Sequence, residues 1–283
     1  MDGILNVLKP AGMTSFDVIA HLRRIYGQKK IGHGGTLDPM AAGVLPVFLG
    51  RAARLIEYAP INRKKYEAEF IMGIATDTED MTGRVISESA VNTDTSDWER
   101  AMSKYRGEIE QVPSAYSAVS VNGRRAYALA REGKKIEIPP RKVTIFHLDL
   151  REINSPYVRL SADCSSGTYI RALGRDLGAE LGIAVTMSFL LRTEMGPFTI
   201  DESKTLEEIE KDPEGCLVRD IRPIISTLLP VYLNEKQAKD FSMGKRIAVK
   251  ENDESSVAVF NNDVFLGTAS IEEGILHPKK VFL

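Results

Sequence analysis

Four glycines and two prolines fall within the sixteen residues from Ile31 to Pro46. A regular helix or strand does not tolerate that density of chain-breaking residues. The segment therefore predicts a structured loop around which the rest of the fold must be arranged. Val44 to Leu49 leaves it as a short buried strand, and Ala52 to Tyr58 follows as a helix. Upstream, Thr14 and Asp17 make a weak capping box. Val18, Ile19, Leu22 and Ile25 then give a helix its apolar face, which Gly27 can end. Inside the loop, Thr36 and Asp38 can bond nearby backbone amides, and Pro39 holds Asp38 in extended geometry. Two readings of Asp38 follow from the residues: a poised, exposed carboxylate among basic neighbours, or a turn residue that only caps backbone. The residues alone favour the second.

Tyr66, Ala68, Phe70 and Met72 alternate with Lys65, Glu67 and Glu69, the pattern of a strand with one buried face. Ser96 to Glu99 reads as a capping box that starts a helix running to about Gly107. Lys142 to Ile153 and Tyr157 to Cys164 read as strands joined by a turn at Asn154-Ser155-Pro156. A helix after Gly167 to about Leu181 carries Ile170, Leu173, Leu177 and Leu181 on one side. The acidic stretch 201–214 suggests a surface helix and connector. Beyond Pro230, Val257 to Phe260 and Val264 to Leu266 flank Asn261-Asn-Asp263 as a hairpin. Strands and helices do not alternate regularly. The expected fold is therefore α+β, a mixed, largely antiparallel sheet flanked by helices over residues 1–229, with a small β-rich domain at 230–283.

A chain of 283 residues suits one large and one small domain, or two medium ones. No stretch approaches the roughly 20 apolar residues that span a bilayer. The start, MDGILNVLKP, lacks the basic-then-apolar order of a signal peptide. Two cysteines and four histidines, scattered, give neither a disulfide framework nor a metal-ligand spacing. A reducing cytoplasm and no metal are expected. The net charge of −2 does not by itself point to nucleic acid, but basic residues segregate. Arg23, Arg24, Lys29, Lys30, Arg51 and Arg54 form one block; Arg124, Arg125, Arg131, Lys134, Lys135, Arg141 and Lys142 form another. Such blocks suit a phosphate backbone or are solvated faces, and charge alone does not separate the two.

The segment IGHGGTLDPMAAGVLPVFLGRAARL resembles the catalytic motif of the TruB-type pseudouridine synthases. LNVLKPAGMTSFDVI, VPSAYSAVSVNGRRAYALAREG and CSSGTYIRALGRDLGAELG resemble further segments of that family, in the same order. The resemblance covers residues 3–200 strongly and the tail weakly. It implies isomerisation of a T-loop uridine, position 55 of tRNA, with Asp38 as the catalytic carboxylate. No atoms enter or leave, so no cofactor is implied. The carboxylate acts covalently or assists formation of a glycal, and both routes stay open. The resemblance pairs Arg171 with Asp38, an opposite charge that favours the anion. It makes Tyr66 the residue that stacks on the base and helps remove the C5 proton. Tyr169 and Leu190 line the base pocket, and His33 fills the space the extracted base leaves. Lys9 and Pro10 support the loop, Arg192 gives electrostatic support, and Asp80 touches substrate or loop. An RNA-gripping insertion is implied at 123–142, with Arg124 and Lys134 on phosphates. The tail 230–283 resembles a PUA-type module in size, position and β content.

Three other readings compete. A glycosidic hydrolase needs two flanking carboxylates, and Asp38 has no obvious second one. An RNA-folding module would not need Asp38. A guide-RNA-dependent synthase shares the motif, but the compact chain resembles the stand-alone type. The implied partner is the T-stem-loop of tRNA, with no membrane and no obligate protein partner, and a monomer is expected.

Overall fold

The computed structural model describes residues 1–117, 119–121, 123–132, 137–218 and 220–282. Strand β1 (Gly3–Lys9) leads to helix α1 (Ser15–Ile25), where Thr14 and Asp17 make both bonds of the capping box. The punctuated segment is more regular than its glycines and prolines suggest. β2 (Ile31–His33) and β3 (Ala42–Leu49) take its two ends, so only residues 34–41 are loop. A 3-10 helix over Gly50–Tyr58 stands where an ordinary helix was expected, a form common in short connectors. β4 (Arg63–Met72) alternates as predicted, burying Tyr66, Ala68, Phe70 and Met72. β5 (Ile74–Thr76) pairs with β6 (Val85–Glu88).

Helix α2 (Thr95–Ser103) corrects the expected cap. Asp94, not Ser96, is the N-cap: its carboxylate accepts from the amides of Ser96 and Asp97, and the Ser96 hydroxyl donates to it. An ionised acceptor at the positive end of a helix outcompetes a hydroxyl. The helix stops at Ser103, and Gly107 instead opens β7 (Gly107–Gln111). Next come β8 (Ser120–Val121), β9 (Arg124–Arg125) and α3 (Ala126–Arg131). The expected hairpin is present as β10 (Arg141–Asn154) and β11 (Tyr157–Ser165). α4 (Ile170–Leu181) precedes β12 (Val185–Met195), β13 (Phe198–Thr199) and α5 (Leu206–Lys211). The C-terminal part holds β14 (Leu229–Tyr232), α6 (Glu235–Ser242), β15 (Ile247–Ala248), β16 (Glu254–Asn261), β17 (Val264–Glu272) and β18 (Ile275–Val281).

Among the described residues one large sheet runs in the order β1-β3-β12-β4-β11-β10-β7, with β2 beside β3 and β13 beside β12. Its pairings are antiparallel except that of β12 with β3, so the sheet is mixed and largely antiparallel, as expected. Pro46 sits inside β3 because it falls between Ala42 and Gly43, which face β12, and Val47 to Leu49, which face β2. A residue without an N–H is tolerated at such a gap in the ladder. Helices α2 and α4 cover one region of the sheet over a core that includes Phe70, Trp98, Leu148, Leu173 and Leu177. Gly174 lets α4 sit close, since a Cβ there would lie 2.1 Å from the Phe70 ring. A second, five-stranded sheet, β14-β16-β17-β18-β15, has its own core around Val231, Phe241, Val259 and Leu276.

Gly43 is a point of close backbone approach in the main sheet. Its φ is +117°, and a Cβ would stand 2.2 Å from the Arg192 carbonyl oxygen. Gly43→Ala is expected to lower stability by about 2–4 kcal/mol, combining the backbone penalty with overpacking. Chemical denaturation checks this; an unchanged midpoint would mean that β12 and β3 can part at no cost.

Candidate active site

The loop 34–41 is held from outside by three side chains on three other segments. Buried Ser15, at the start of α1, both accepts from the Leu37 amide at 2.9 Å and donates to the Leu37 carbonyl at 3.1 Å. Lys9, at the end of β1, donates to the carbonyls of Pro10 and Met13 at 2.7 and 2.6 Å and to that of Pro39 at 3.4 Å. Burial pushes its ammonium down to about 8, while Asp38 pulls the other way. Arg192, fully buried on β12, donates to the carbonyls of Val44, Gly35 and Thr36 at 2.8, 3.1 and 3.3 Å. Each clamp reads backbone oxygen, and together they fix the path of the chain on either side of Asp38.

Asp38 meets Arg171 across this loop, with Nε 2.9 Å from Oδ2. The side chain of Asp38 is 34% exposed, whereas that of Arg171 is 5% exposed. Arg171 stands in the first turn of α4, which the close seat of that helix on the sheet brings down to the loop. Its other nitrogens are occupied too. Nη1 donates to the Thr78 carbonyl at 3.0 Å and faces Asp80 Oδ2 at 3.5 Å, and Nη2 donates to the Tyr116 carbonyl at 3.2 Å. Asp80 is itself buried and accepts from the Thr78 hydroxyl at 2.8 Å and the Thr82 amide at 3.0 Å. Asp80, expected to touch substrate or loop, thus faces inward onto the arginine. One guanidinium lies between an inner carboxylate and an outer, accessible one.

A cleft opens beside Asp38, lined by Lys64, Tyr66, Tyr169, Arg171 and Leu190 among others. Tyr66 and Leu190 are buried on neighbouring strands, β4 and β12, and Tyr169 is the residue just before α4. Burial pushes the Tyr66 phenol up, against the opposing influence of the Arg192 guanidinium. Gln111, at the end of β7, fixes Tyr169 by its backbone: its amide donates to the Tyr169 carbonyl at 3.1 Å and accepts from the Tyr169 N–H at 2.8 Å. His33, at the end of β2, keeps a buried Nδ1 without a hydrogen-bond partner among the described residues. Burial, then Arg192, push its imidazole down, so it is neutral at neutral pH. Pro10 is exposed, its carbonyl serving Lys9. Arg124 forms an ion pair with Glu132 at the surface, and Lys134 lies outside the described residues.

Ser15, Gln111, Thr78 and Lys64 were not singled out from the sequence. Ser15 and Gln111 act on backbone atoms far away in the chain, for which no local pattern exists. Lys64 had a signal, since it lies two residues before Tyr66 and so on the same face of β4. Among the described residues, no three His, Cys, Asp or Glu side chains are grouped to hold a metal ion. No described helix is long and apolar enough to cross a membrane.

A buried cation that orients an accessible carboxylate at the mouth of an aromatic and apolar cleft suits chemistry on a planar ring attached to a sugar. The model of the TruB family pseudouridylate synthase N-terminal domain matches residues 23–170, and that of the pseudouridine synthase II TruB C-terminal region matches residues 230–282. The chain is 42% identical to tRNA pseudouridine synthase B of Caldanaerobacter subterraneus subsp. tengcongensis, over 100% of this chain and 99% of that protein. It is 39% identical to tRNA pseudouridine synthase B of Streptococcus pneumoniae, over the whole of both chains. Among solved structures, a chain of an H/ACA RNP bound to a substrate RNA containing 2′-deoxyuridine shares the fold with a TM-score of 0.72 at 22% identity, covering 99% of this chain and 85% of that one.

Proposed function

The chain belongs to the TruB family of pseudouridylate synthases, and from that premise we propose that it isomerises the T-loop uridine at position 55 of tRNA, with Asp38 as the catalytic carboxylate and no cofactor. It is a tRNA pseudouridine synthase and hence an isomerase. The observation that carries the assignment of Asp38 is the 2.9 Å contact with Arg171 at the mouth of a cleft walled by Tyr66, Tyr169 and Leu190.

The reaction breaks the C1′–N1 bond, turns the uracil and joins C1′ to C5. The C5 hydrogen then leaves as a proton and N1 carries one. The carboxylate of Asp38 acts first, adding to C1′ or removing the 2′ proton. Arg171 holds that carboxylate in one orientation, so no reorganisation is needed when the substrate arrives. The uracil lies against Tyr66, with Leu190 as an apolar wall and Tyr169 at the rim. The Tyr66 phenol, kept protonated by burial, receives the C5 proton only by way of a relay or after losing its own. Unstacking the base costs a few kcal/mol, and His33 offsets part of that by filling the vacated space. Lys9, Pro10 and Arg192 support the loop, and Asp80 acts on the reaction through Arg171. Arg124 and Lys134, in the insertion at 123–142, meet phosphates, as does the PUA-like tail. Direct reading of tRNA, without a guide RNA, is supported by full-length relatives named as tRNA enzymes. We read the protein as a cytoplasmic monomer that works without a protein partner.

Tritium release from tRNA transcripts carrying C5-labelled uridine tests the function. One equivalent per tRNA is expected, and none when the T-loop uridine is replaced by cytidine. Free uracil among the products would mean hydrolysis instead. Asp80→Asn separates positioning from binding. It weakens a charged contact to Arg171 and is expected to lower kcat by about 10- to 100-fold while leaving RNA affinity within about twofold. Single-turnover rates and filter binding measure the two; equal losses in both would place Asp80 on the substrate.

A further inference from the structure

Lys64 differs from the cations on either side of it in β4. Arg63 is neutralised by Asp163 through two hydrogen bonds of 2.8 and 2.7 Å, and Lys65 pairs with Glu194 at 2.8 Å. Among the described residues the Lys64 ammonium has neither an ion pair nor a hydrogen bond. What surrounds it is the Arg192 guanidinium, the Cys164 thiol and the backbone near Gly35, where a Cβ would lie 3.9 Å from Nζ. Burial, then Arg192, push the ammonium down to about 8. A cation partly withdrawn from water with no anion opposite it is costly, and an arriving anion would relieve that cost.

The position of Lys64 says where the anion comes from. It lines the cleft that holds Asp38, Tyr66 and Arg171. It also lines the adjoining groove formed by Pro60, Arg63, Lys65, Gly196, Pro197 and Pro223. A nucleotide with its base in the cleft carries its backbone out through this mouth. Uracil is neutral, and the charge that passes the mouth belongs to the phosphodiester. Resting on the functional reading above, we propose that Lys64 binds the phosphodiester next to the flipped-out uridine and holds that nucleotide while Asp38 acts within. The competing role is a lysine whose stem merely covers apolar surface with its amine in water.

T-arm stem-loop RNAs with a single neutral methylphosphonate linkage, 5′ or 3′ of the target uridine, separate these roles. Wild type, Lys64→Met and Lys64→Arg are compared by kcat/KM and by melting temperature. On unmodified RNA, Lys64→Met is expected to lose about 10- to 100-fold, the scale of a hydrogen bond to a charged group. One of the two methylphosphonates is expected to cost wild type and Lys64→Arg about as much, and to cost Lys64→Met nothing further. The melting temperature of Lys64→Met is expected to equal or exceed the wild-type value, because a costly unpaired charge is removed and no partner among the described residues is lost. Equal methylphosphonate penalties in wild type and Lys64→Met would overturn the proposal. So would wild-type kinetics of Lys64→Met on unmodified RNA, or a loss explained by a fall in melting temperature. Failure of wild type on the unmodified stem-loop would instead strike the functional reading, and this inference with it.

Discussion

Asp38→Asn is expected to release no tritium above background, a loss of about 10⁴-fold or more in the single-turnover rate. The substitution keeps size and shape, so the loop clamps of Ser15, Lys9 and Arg192 stay in place. Arg171 keeps its inner carboxylate, Asp80, together with the Thr78 and Tyr116 carbonyls. Folding and RNA affinity should therefore match wild type. Quench-flow or manual quench with C5-labelled tRNA reads the rate, and filter binding reads the affinity. Turnover by the variant at even a hundredth of the wild-type rate would remove Asp38 from the chemistry.

The second large effect falls on both stability and activity. Arg171→Met takes the cation away from Asp80, whose side chain is only 7% exposed. Removing one partner of a buried pair costs about 3–5 kcal/mol, because the other charge is left uncompensated. The same change frees Asp38 to rotate, and the rate should fall by about 10³-fold, on the scale of losing one preorganised electrostatic contact. The double variant Arg171→Met/Asp80→Asn distinguishes the two effects. It should recover much of the stability, having no stranded carboxylate, and none of the activity. Urea denaturation and tritium release measure them. Recovery of activity in the double variant would show that Arg171 serves the fold and not Asp38.

The sequence made some of this geometry readable and hid the rest for definite reasons. The alternation of Tyr66 to Met72 is a strand because one face meets helices and the other meets solvent. The punctuated loop stands out because glycine and proline act locally, whereas Asp38 within it is marked as catalytic only by resemblance. β12 carries no such signal. It lies inside the sheet between β3 and β4, and its two register irregularities against β4 break the alternation. Leu190 and Arg192 were thus placed by resemblance and not by periodicity. The spacing of Ser96 to Glu99 fits a cap, but Asp94 offers a stronger acceptor two residues earlier. At the site, Arg171 had an ordinary alternative on the outer face of its helix. Only the fold reveals that Asp80 lies behind it, since the two residues belong to segments 91 positions apart. Residues such as Gln111 and Ser15, which grip distant backbone, have no one-dimensional signature at all.

The three clamps around the loop have a consequence for how this site can change over time. Ser15, Lys9 and Arg192 recognise carbonyls, and every amino acid brings the same carbonyl. The side chains of the loop are therefore largely relieved of the duty of holding it, and substitutions there leave the grip intact. Selection for keeping the reactive oxygen in place is displaced onto residues remote in sequence, and the segment that does the chemistry is left free to be tuned for its RNA.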